Sequence, residues 1–235
     1  MFNITKPSIQ RRLCRISPLL LLISCAQTSP QPPSSERAIS RPPIDAKVIA
    51  KEAKLRQRLK SNPNPQSPSY YNDLVVLRSM CRGYTQDKRF PEADKLTSWL
   101  LSQNAVAFGD SSLQVAEDLK IIGKLRIAEQ QAAKAAICLQ RALKIYQQHL
   151  GKEDFRTMLC LGDLGEAFLE ANQLPKADPP LTTSYEAMLK LIGPNHIHTG
   201  SIAFHLGRLR LAQGRLEQAE KLLRHAYRLR MKILG

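Results

Sequence analysis

The side chains best able to bind a metal or move a proton stand in two short segments. His196 and His198 alternate in one segment, and Glu153 and Asp154 are adjacent in the other. No cysteine or further histidine follows the two histidines at the spacing of a zinc site. The carboxylates have no second group placed for acid–base catalysis. The sequence also lacks a P-loop and a nucleophile elbow, so we expect no active site, no metal and no cofactor.

Cysteine is the other reactive residue type, and five are present. Cys81, Cys138 and Cys160 stand in segments with a helical pattern, where we expect small buried hydrophobic side chains. A disulfide between Cys138 and Cys160 stays open as an alternative in an oxidising compartment. Cys25 differs from these three because it directly follows an apolar run.

The first 24 residues have the layout of a secretory signal peptide. Four cations and no acidic residue come first, and the apolar run ISPLLLLIS follows at 16–24. That run is too short to cross a bilayer, which needs about 20 apolar residues. Its end before Cys25 resembles the bacterial lipobox, which implies removal of residues 1–24 and stable membrane attachment through the acylated Cys25. Ala26 in place of aspartate implies, by resemblance to Gram-negative lipoproteins, the outer rather than the inner membrane.

Residues 25–66 are expected to form a tether that contains one separate helix. The part that follows Cys25 is rich in proline and serine and has no apolar period, which is typical of a disordered linker. A basic helix is predicted at about 44–60, with Val48, Ile49, Leu55 and Leu59 as its apolar positions. We expect a solvated linker segment or a cap on the next domain, and binding of anionic lipid is the alternative.

Four glycines, Gly109, Gly151, Gly193 and Gly235, stand 42 residues apart. A constant period of that length indicates a repeat solenoid, with units 67–108, 109–150, 151–192 and 193–235. Each unit has the pattern of two amphipathic helices, and its closing glycine fits a left-handed conformation just past a helix end. Small residues recur 14 and 26 positions after each glycine, where two helices must approach closely: Gly123, Gly165 and Gly207, and Ala135, Ala177 and Ala219.

The order of small and large residues in these units resembles the tetratricopeptide repeat, whose usual length is 34 residues. The longer unit looks like the kinesin light chain type, to which the runs LIGPNH at 191–196 and ADP at 177–179 are also similar. The resemblance implies an all-α fold, a right-handed superhelical α-solenoid of about four helix-turn-helix repeats over 67–235. It also implies a non-enzymatic protein that binds other proteins.

In that family the first helices of the units line the concave surface, and partner peptides lie along it. The resemblance places seven side chains on that surface: Arg78, Arg82, Lys120, Lys124, Glu166, Phe204 and Arg208. The first four are cations, one helical turn apart in two neighbouring units, and we expect Arg78 and Lys120 to be exposed. They are similar to a basic groove for acidic or carboxylate-bearing segments. The alternative is that these long cations only solvate a helix face.

The net charge of +15 is concentrated in residues 36–60 and in the last unit. No basic strand with interleaved aromatic residues accompanies it, so nucleic acid binding is not expected. Without a separate capping helix, the basic last helix is expected either to cap the domain or to stack on another copy. The predicted function is a lipid-anchored scaffold of the bacterial cell envelope. The alternative is a self-associating, homo-oligomeric structural or assembly-factor lipoprotein of pilus, secretin or cell-wall machinery.

Overall fold

The computed structural model describes residues 43–61 and 64–234, with side chains as far as Lys232. The predicted signal peptide, Cys25 and the first part of the tether lie outside these residues. The chain divides into two compact regions, Met1–Ala46 and Lys47–Gly235. Of the first region only residues 43–46 are described. Regular structure in the described ranges is entirely helical. The helices are α1 (Ala46–Ser61), α2 (Pro68–Gln86), α3 (Phe90–Phe108), α4 (Leu113–Ala128), α5 (Ala132–Leu150), α6 (Phe155–Glu170), α7 (Leu174–Ile192), α8 (Ile197–Ala212) and α9 (Leu216–Leu234).

The helices from α2 onward form four helix-turn-helix pairs, which confirms the predicted all-α solenoid. Each second helix packs on its own first helix, and α3, α5 and α7 also pack on the first helix of the next unit. First helices also contact one another directly, α2 with α4, α4 with α6 and α6 with α8. Together α2, α4, α6 and α8 form one continuous layer, which we call the first-helix layer.

The small residues predicted at the helix crossings are the points of closest approach. In the three later units a glycine of the first helix faces a leucine of the second, and an added Cβ would lie 2.6 to 2.8 Å from the leucine Cγ. The first unit has Cys81 and Thr97 at these two positions, both buried, so a larger residue on one helix is balanced by a smaller one opposite. The glycine–leucine pairs are Gly123–Leu139, Gly165–Leu181 and Gly207–Leu223.

Three of the four glycines that close the units have a positive φ, as predicted, but not the left-handed helical conformation, and Gly235 lies outside the described residues. Gly109 has φ 87° and ψ 154°, and Gly151 and Gly193 have ψ of 169° and 174°. This backbone region is open in practice to glycine alone, whereas asparagine and aspartate also adopt the left-handed helical one. The closing position is therefore more restrictive than the sequence pattern indicates.

Helix α1 docks on the first unit through side chains. Leu55 and Leu59 are 7% and 3% exposed. The Tyr84 hydroxyl of α2 donates to Glu52 Oε2 at 2.8 Å, and Arg56 lies over the Trp99 ring of α3. These contacts are those of a cap rather than of a solvated linker. None of the helices in the described part of the chain is long and apolar enough to cross a bilayer.

Candidate functional site

The seven predicted partner-binding residues all lie on the first-helix layer. Their surroundings differ, because carboxylates of the same or the next unit reach most of the cations. An ion pair between neighbouring first helices joins two units and at the same time neutralises the layer.

Arg78 is buried, with 9% of its surface exposed, and it faces Asp118 of α4. Its Nε donates to Asp118 Oδ1 at 2.7 Å, and its Nη2 donates to the carbonyl oxygen of Gln114 at 2.8 Å. The Asn104 amide donates to the second carboxylate oxygen of Asp118 at 2.5 Å. The expectation that Arg78 is exposed is therefore wrong, because its guanidinium lies within the interface between the first two units.

Lys120 is half-buried and its charge is compensated within its own unit. Its Nζ lies 3.5 Å from Glu117 Oε2 and 5.9 Å from the centroid of the Tyr146 ring. Burial alone would raise the pKa of Glu117. The charge of Lys120 nevertheless holds that pKa below its usual value. Lys120 is therefore not the exposed cation that was expected, since its side chain is half-buried and its charge is paired.

Lys124 lies between two carboxylates of the third unit. Its Nζ donates to Glu166 Oε2 and lies 3.4 Å from Asp163 Oδ1. Burial disfavours the ammonium charge, yet the two carboxylates raise the pKa of Lys124 above its ordinary value. Glu166 was itself a predicted partner-binding residue, but it is only 8% exposed and is occupied by Lys124.

His205 of α8 completes this cluster from the fourth unit. Its Nε2 lies 3.7 Å from Glu166 Oε1, and its buried Nδ1 has no hydrogen-bond partner among the described residues. Burial, followed by the charges of Lys124 and Arg208, lowers the pKa of His205 to about 3. The imidazole is therefore neutral at physiological pH and adds no charge to the cluster.

Phe204 and Arg208 lie together at the α8 end of the layer. The Arg208 guanidinium lies 5.8 Å from the centroid of the Phe204 ring, and it donates to Glu170 of α6. Phe204 remains 41% exposed. This end of the layer offers an exposed aromatic ring beside an arginine whose charge is paired with a glutamate.

The α2 end of the layer offers a different surface. Arg82 is exposed and forms no ion pair with any residue of the described chain. Val75 and Tyr71 are 57% and 44% exposed on the same helix. The layer therefore has exposed apolar residues at both ends, a cation at one end, and a centre of paired charges instead of a continuous basic groove.

Sequence reasoning does not single out Asp118, although a signal for it exists. Cys160 and Ile202 occupy the same position in the next two units, and both are buried. A carboxylate in a buried apolar column needs a buried partner, and Arg78 is that partner. Asp163 and His205 give no such signal, because their contacts depend on how far neighbouring units lie apart.

The remaining reactive groups have structural surroundings. Cys81, Cys138 and Cys160 are free thiols, so the Cys138–Cys160 disulfide is not formed. Burial raises the pKa of Cys81 to about 12. His196 caps α8, since its Nδ1 accepts from the backbone N–H of His198. No group of three or more potential metal ligands occurs among residues 43–61 and 64–234.

Comparisons with known proteins agree with this geometry. Residues 181–232 match the tetratricopeptide repeat model. The chain is similar to BtubC (BKLC) from P. vanneervenii, with 17% identity, a TM-score of 0.63 and coverage of 80% of this chain and 72% of that one. It is also similar to a putative kinesin light chain with nearly identical TPR-like repeats from Podosopora anserina, with 18% identity, a TM-score of 0.56 and coverage of 79% and 86%. No curated protein matches the chain. The similarity in fold confirms the predicted α-solenoid.

Proposed function

We propose that this chain, whose residues 181–232 match the tetratricopeptide repeat model, is a non-enzymatic protein–protein interaction scaffold, anchored in the bacterial cell envelope through Cys25. The partner is a protein segment that lies along the first-helix layer. The observation that carries this proposal is the exposure of Val75 and Phe204, at 57% and 41%, at opposite ends of a layer whose central charges are paired. Apolar residues held in water on a curved repeat surface favour a partner that covers them.

The charges of the layer narrow the chemistry of the partner segment. Arg82 favours a partner segment with one carboxylate near the α2 end, because no described carboxylate forms an ion pair with Arg82. A single exposed ion pair contributes little affinity, so it orients the segment rather than holds it. The affinity then comes from apolar side chains that contact Val75 and Phe204. A uniformly acidic segment fits less well, because the carboxylates Asp163 and Glu166 lie at the centre.

The site of action follows from the sequence of the N-terminal segment. The signal-peptide layout of residues 1–24 and the lipobox-like run before Cys25 support lipid attachment. Ala26 supports the outer membrane as the destination. Partners are then proteins of the same compartment.

Selection from a random peptide library on the full 235-residue chain tests the binding role. Peptides with an acidic residue and two apolar residues are expected to be enriched. Val75→Asp and Phe204→Asp should abolish their recovery, and Arg82→Glu should remove the preference for the carboxylate. Ile137→Asp is the matched control, because Ile137 is 68% exposed on the second helix α5. Equal recovery by all variants would reject the first-helix layer as the binding surface.

A further inference from the structure

Helix α1 carries a row of four exposed cations along one side. Their spacings of four, three and four residues place them on the same side of a helix with 3.6 residues per turn. Arg58 lies 3.2 Å from Asp73 of α2, whereas Lys51 and Lys54 form no ion pair with any residue of the described chain. We call this row the α1 cation stripe, and its members are Lys47, Lys51, Lys54 and Arg58.

Helix α1 occupies the place of a second helix, one repeat before α3. The Tyr84 hydroxyl of α2 donates to Glu52 of α1. Forty-two residues further along the chain, Arg126 of α4 donates to Asp94 of α3 in the same way. The side of α1 that carries the stripe therefore corresponds to a defined side of α3, α5, α7 and α9.

On those four helices the corresponding side is buried. Ala135 of α5, a counterpart of Lys51, lies one turn before Leu139, which meets Gly123 of the first helix of its unit. Alanine at this position allows the two helices to approach closely. All four counterparts of Lys51 are alanines that are 2% exposed or less: Ala93, Ala135, Ala177 and Ala219.

The α1 cation stripe thus stands where every other second helix receives a first helix. A lysine in place of the alanine holds a further helix away by its size. A packed helix would also desolvate the ammonium groups of Lys51 and Lys54 without a partner. The stripe therefore closes this side of the repeat array to helix packing, and what meets it must be negatively charged and leave it partly hydrated.

The preceding part of the chain does not supply that negative charge. Residues 1–42 contain one acidic residue, Glu36, and six basic residues. Helix α1 carries six basic residues and, apart from Glu52, no acidic one. The charge that meets the stripe must therefore come from another molecule.

The distance along the chain from Cys25 points to the bilayer as that source. Ala46, the first residue of α1, follows Cys25 by 21 residues, an extended reach of about 60 Å. Under the proposed function, on which this step rests, Cys25 is held in a membrane, so headgroup phosphates are always within reach of the stripe. Basic residues beside a lipid anchor are attracted to anionic bilayers, and the attraction acts within a Debye length of the surface.

We propose that the α1 cation stripe binds the surface of an anionic phospholipid bilayer. Lys51 and Lys54 contact headgroup phosphates, while Leu55 and Leu59 are buried and hold α1 on the first unit. The contact is peripheral and electrostatic, because these apolar residues of α1 are not available for insertion into lipid. The α1 cation stripe shares no residue with the first-helix layer, so the two surfaces act separately.

Co-sedimentation with lipid vesicles tests this proposal on the full 235-residue chain carrying Cys25→Ser, so that no acyl chain contributes. Vesicles of phosphatidylcholine alone measure the background binding, to which the apolar run at 16–24 contributes. Vesicles that also contain phosphatidylglycerol measure the additional binding to anionic lipid. Lys51→Glu with Lys54→Glu is expected to weaken this additional binding by about tenfold or more. Raised salt should weaken it in the unsubstituted stripe as well.

Two further variants separate the position of the charges from their number. Lys134→Glu with Lys144→Glu changes the net charge equally at exposed positions of α5 and should leave the additional binding unchanged. Lys51→Gln with Lys54→Gln removes the charges without reversing them, so it should give a smaller loss in the same direction. Circular dichroism should show the same helix content for all these variants, because the substituted positions are exposed.

Several outcomes would overturn the proposal. Undiminished binding of Lys51→Glu with Lys54→Glu would reject the stripe, and an equal loss in the α5 variant would mean that only net charge acts. Binding of poly-glutamate that depends on Lys51 and Lys54, without additional binding to phosphatidylglycerol, would assign the stripe to an acidic protein. A concentration-dependent dimer lost in the same variant would assign it to a second copy.

The vesicle experiment is independent of the proposed function. It contains no acyl chain, so its result does not depend on whether Cys25 is lipidated. Val75→Asp should not affect vesicle binding, because Val75 belongs to the first-helix layer. Failure of the α1 cation stripe is therefore distinguishable from failure of the lipid anchor and from failure of the partner-binding layer.

Discussion

Tyr84 and Glu52 stand 32 residues apart and share a hydrogen bond of 2.8 Å. The same separation joins Arg126 to Asp94 and Arg210 to Asp178. In both later pairs the arginine lies on a first helix and the aspartate on the second helix of the preceding unit. Helix α1 therefore docks in the register of a second helix, as though it were half of a preceding repeat.

Loss of this hydrogen bond is expected to loosen α1. Tyr84→Phe removes one part-buried hydrogen bond and should lower the free energy of unfolding by about 0.5–1.5 kcal/mol. Urea denaturation measures the change. Lys51→Gln, an exposed position of the same helix, should shift it by less than about 0.5 kcal/mol. An unchanged stability of Tyr84→Phe would reject the docking role of this bond.

The close helix crossing in the third unit predicts a coupled pair of substitutions. Gly165→Ala places a Cβ 2.6 Å from Leu181 Cγ and should destabilise by about 1–3 kcal/mol through overpacking. Leu181→Thr, which introduces the residue type that Thr97 supplies in the first unit, should relieve that clash. The double variant should then be more stable than the sum of the singles by at least about 0.5 kcal/mol in urea denaturation.

Gly83→Ala is the control for the crossing, because nothing lies within 4 Å of its added Cβ. It should be neutral or slightly stabilising. If the effects of Gly165→Ala and Leu181→Thr on the free energy of unfolding simply add, the two helices can separate without cost.

Arg78 is expected to act on stability rather than on partner capture. Arg78→Met leaves the buried Asp118 carboxylate without its ion-pair partner and should cost about 3–5 kcal/mol in thermal or urea unfolding. Adding Asp118→Leu should recover most of that loss. Arg82→Met, at an exposed position one turn later, is the control and should be nearly neutral. A mild effect of Arg78→Met would mean that this interface is hydrated.

We expect His205 to cause part of the loss of folding stability at acidic pH. Its pKa is about 3 when folded and 6.5 in the unperturbed state, so below pH 6.5 the unfolded chain binds a proton that the folded chain does not. Stability is then lost as pH falls from 6.5 toward 3. His205→Gln should flatten this part of the profile of unfolding free energy against pH.

Lipid attachment predicts that Cys25 controls both labelling and location. The full chain, expressed in a Gram-negative host with a clickable fatty acid, should incorporate label and sediment with the outer membrane. Cys25→Ser should lose both properties, whereas Cys14→Ser should keep them because Cys14 precedes the apolar run. Label retained in Cys25→Ser would reject the lipobox interpretation.

The repeat frame could be predicted because its cause is local and recurs. Helices that cross closely have little room for side chains, so small residues recur at the crossings, as Gly165 against Leu181 shows. The availability of the predicted binding residues could not be predicted in the same way. Arg78 and Arg82 are one turn apart on the same helix, yet one is buried against Asp118 and the other is exposed.

The amino-acid sequence by itself thus determined the all-α solenoid of helix pairs, because periodic small and apolar residues encode helix contacts within each unit. Only the tertiary structure decided which charges stay available to a partner. That outcome depends on distances between side chains of neighbouring units, such as Lys124 and Glu166, which are 42 residues apart in the chain. Coulomb attraction falls with distance and is screened by water, so only the packed repeats determine which ions pair.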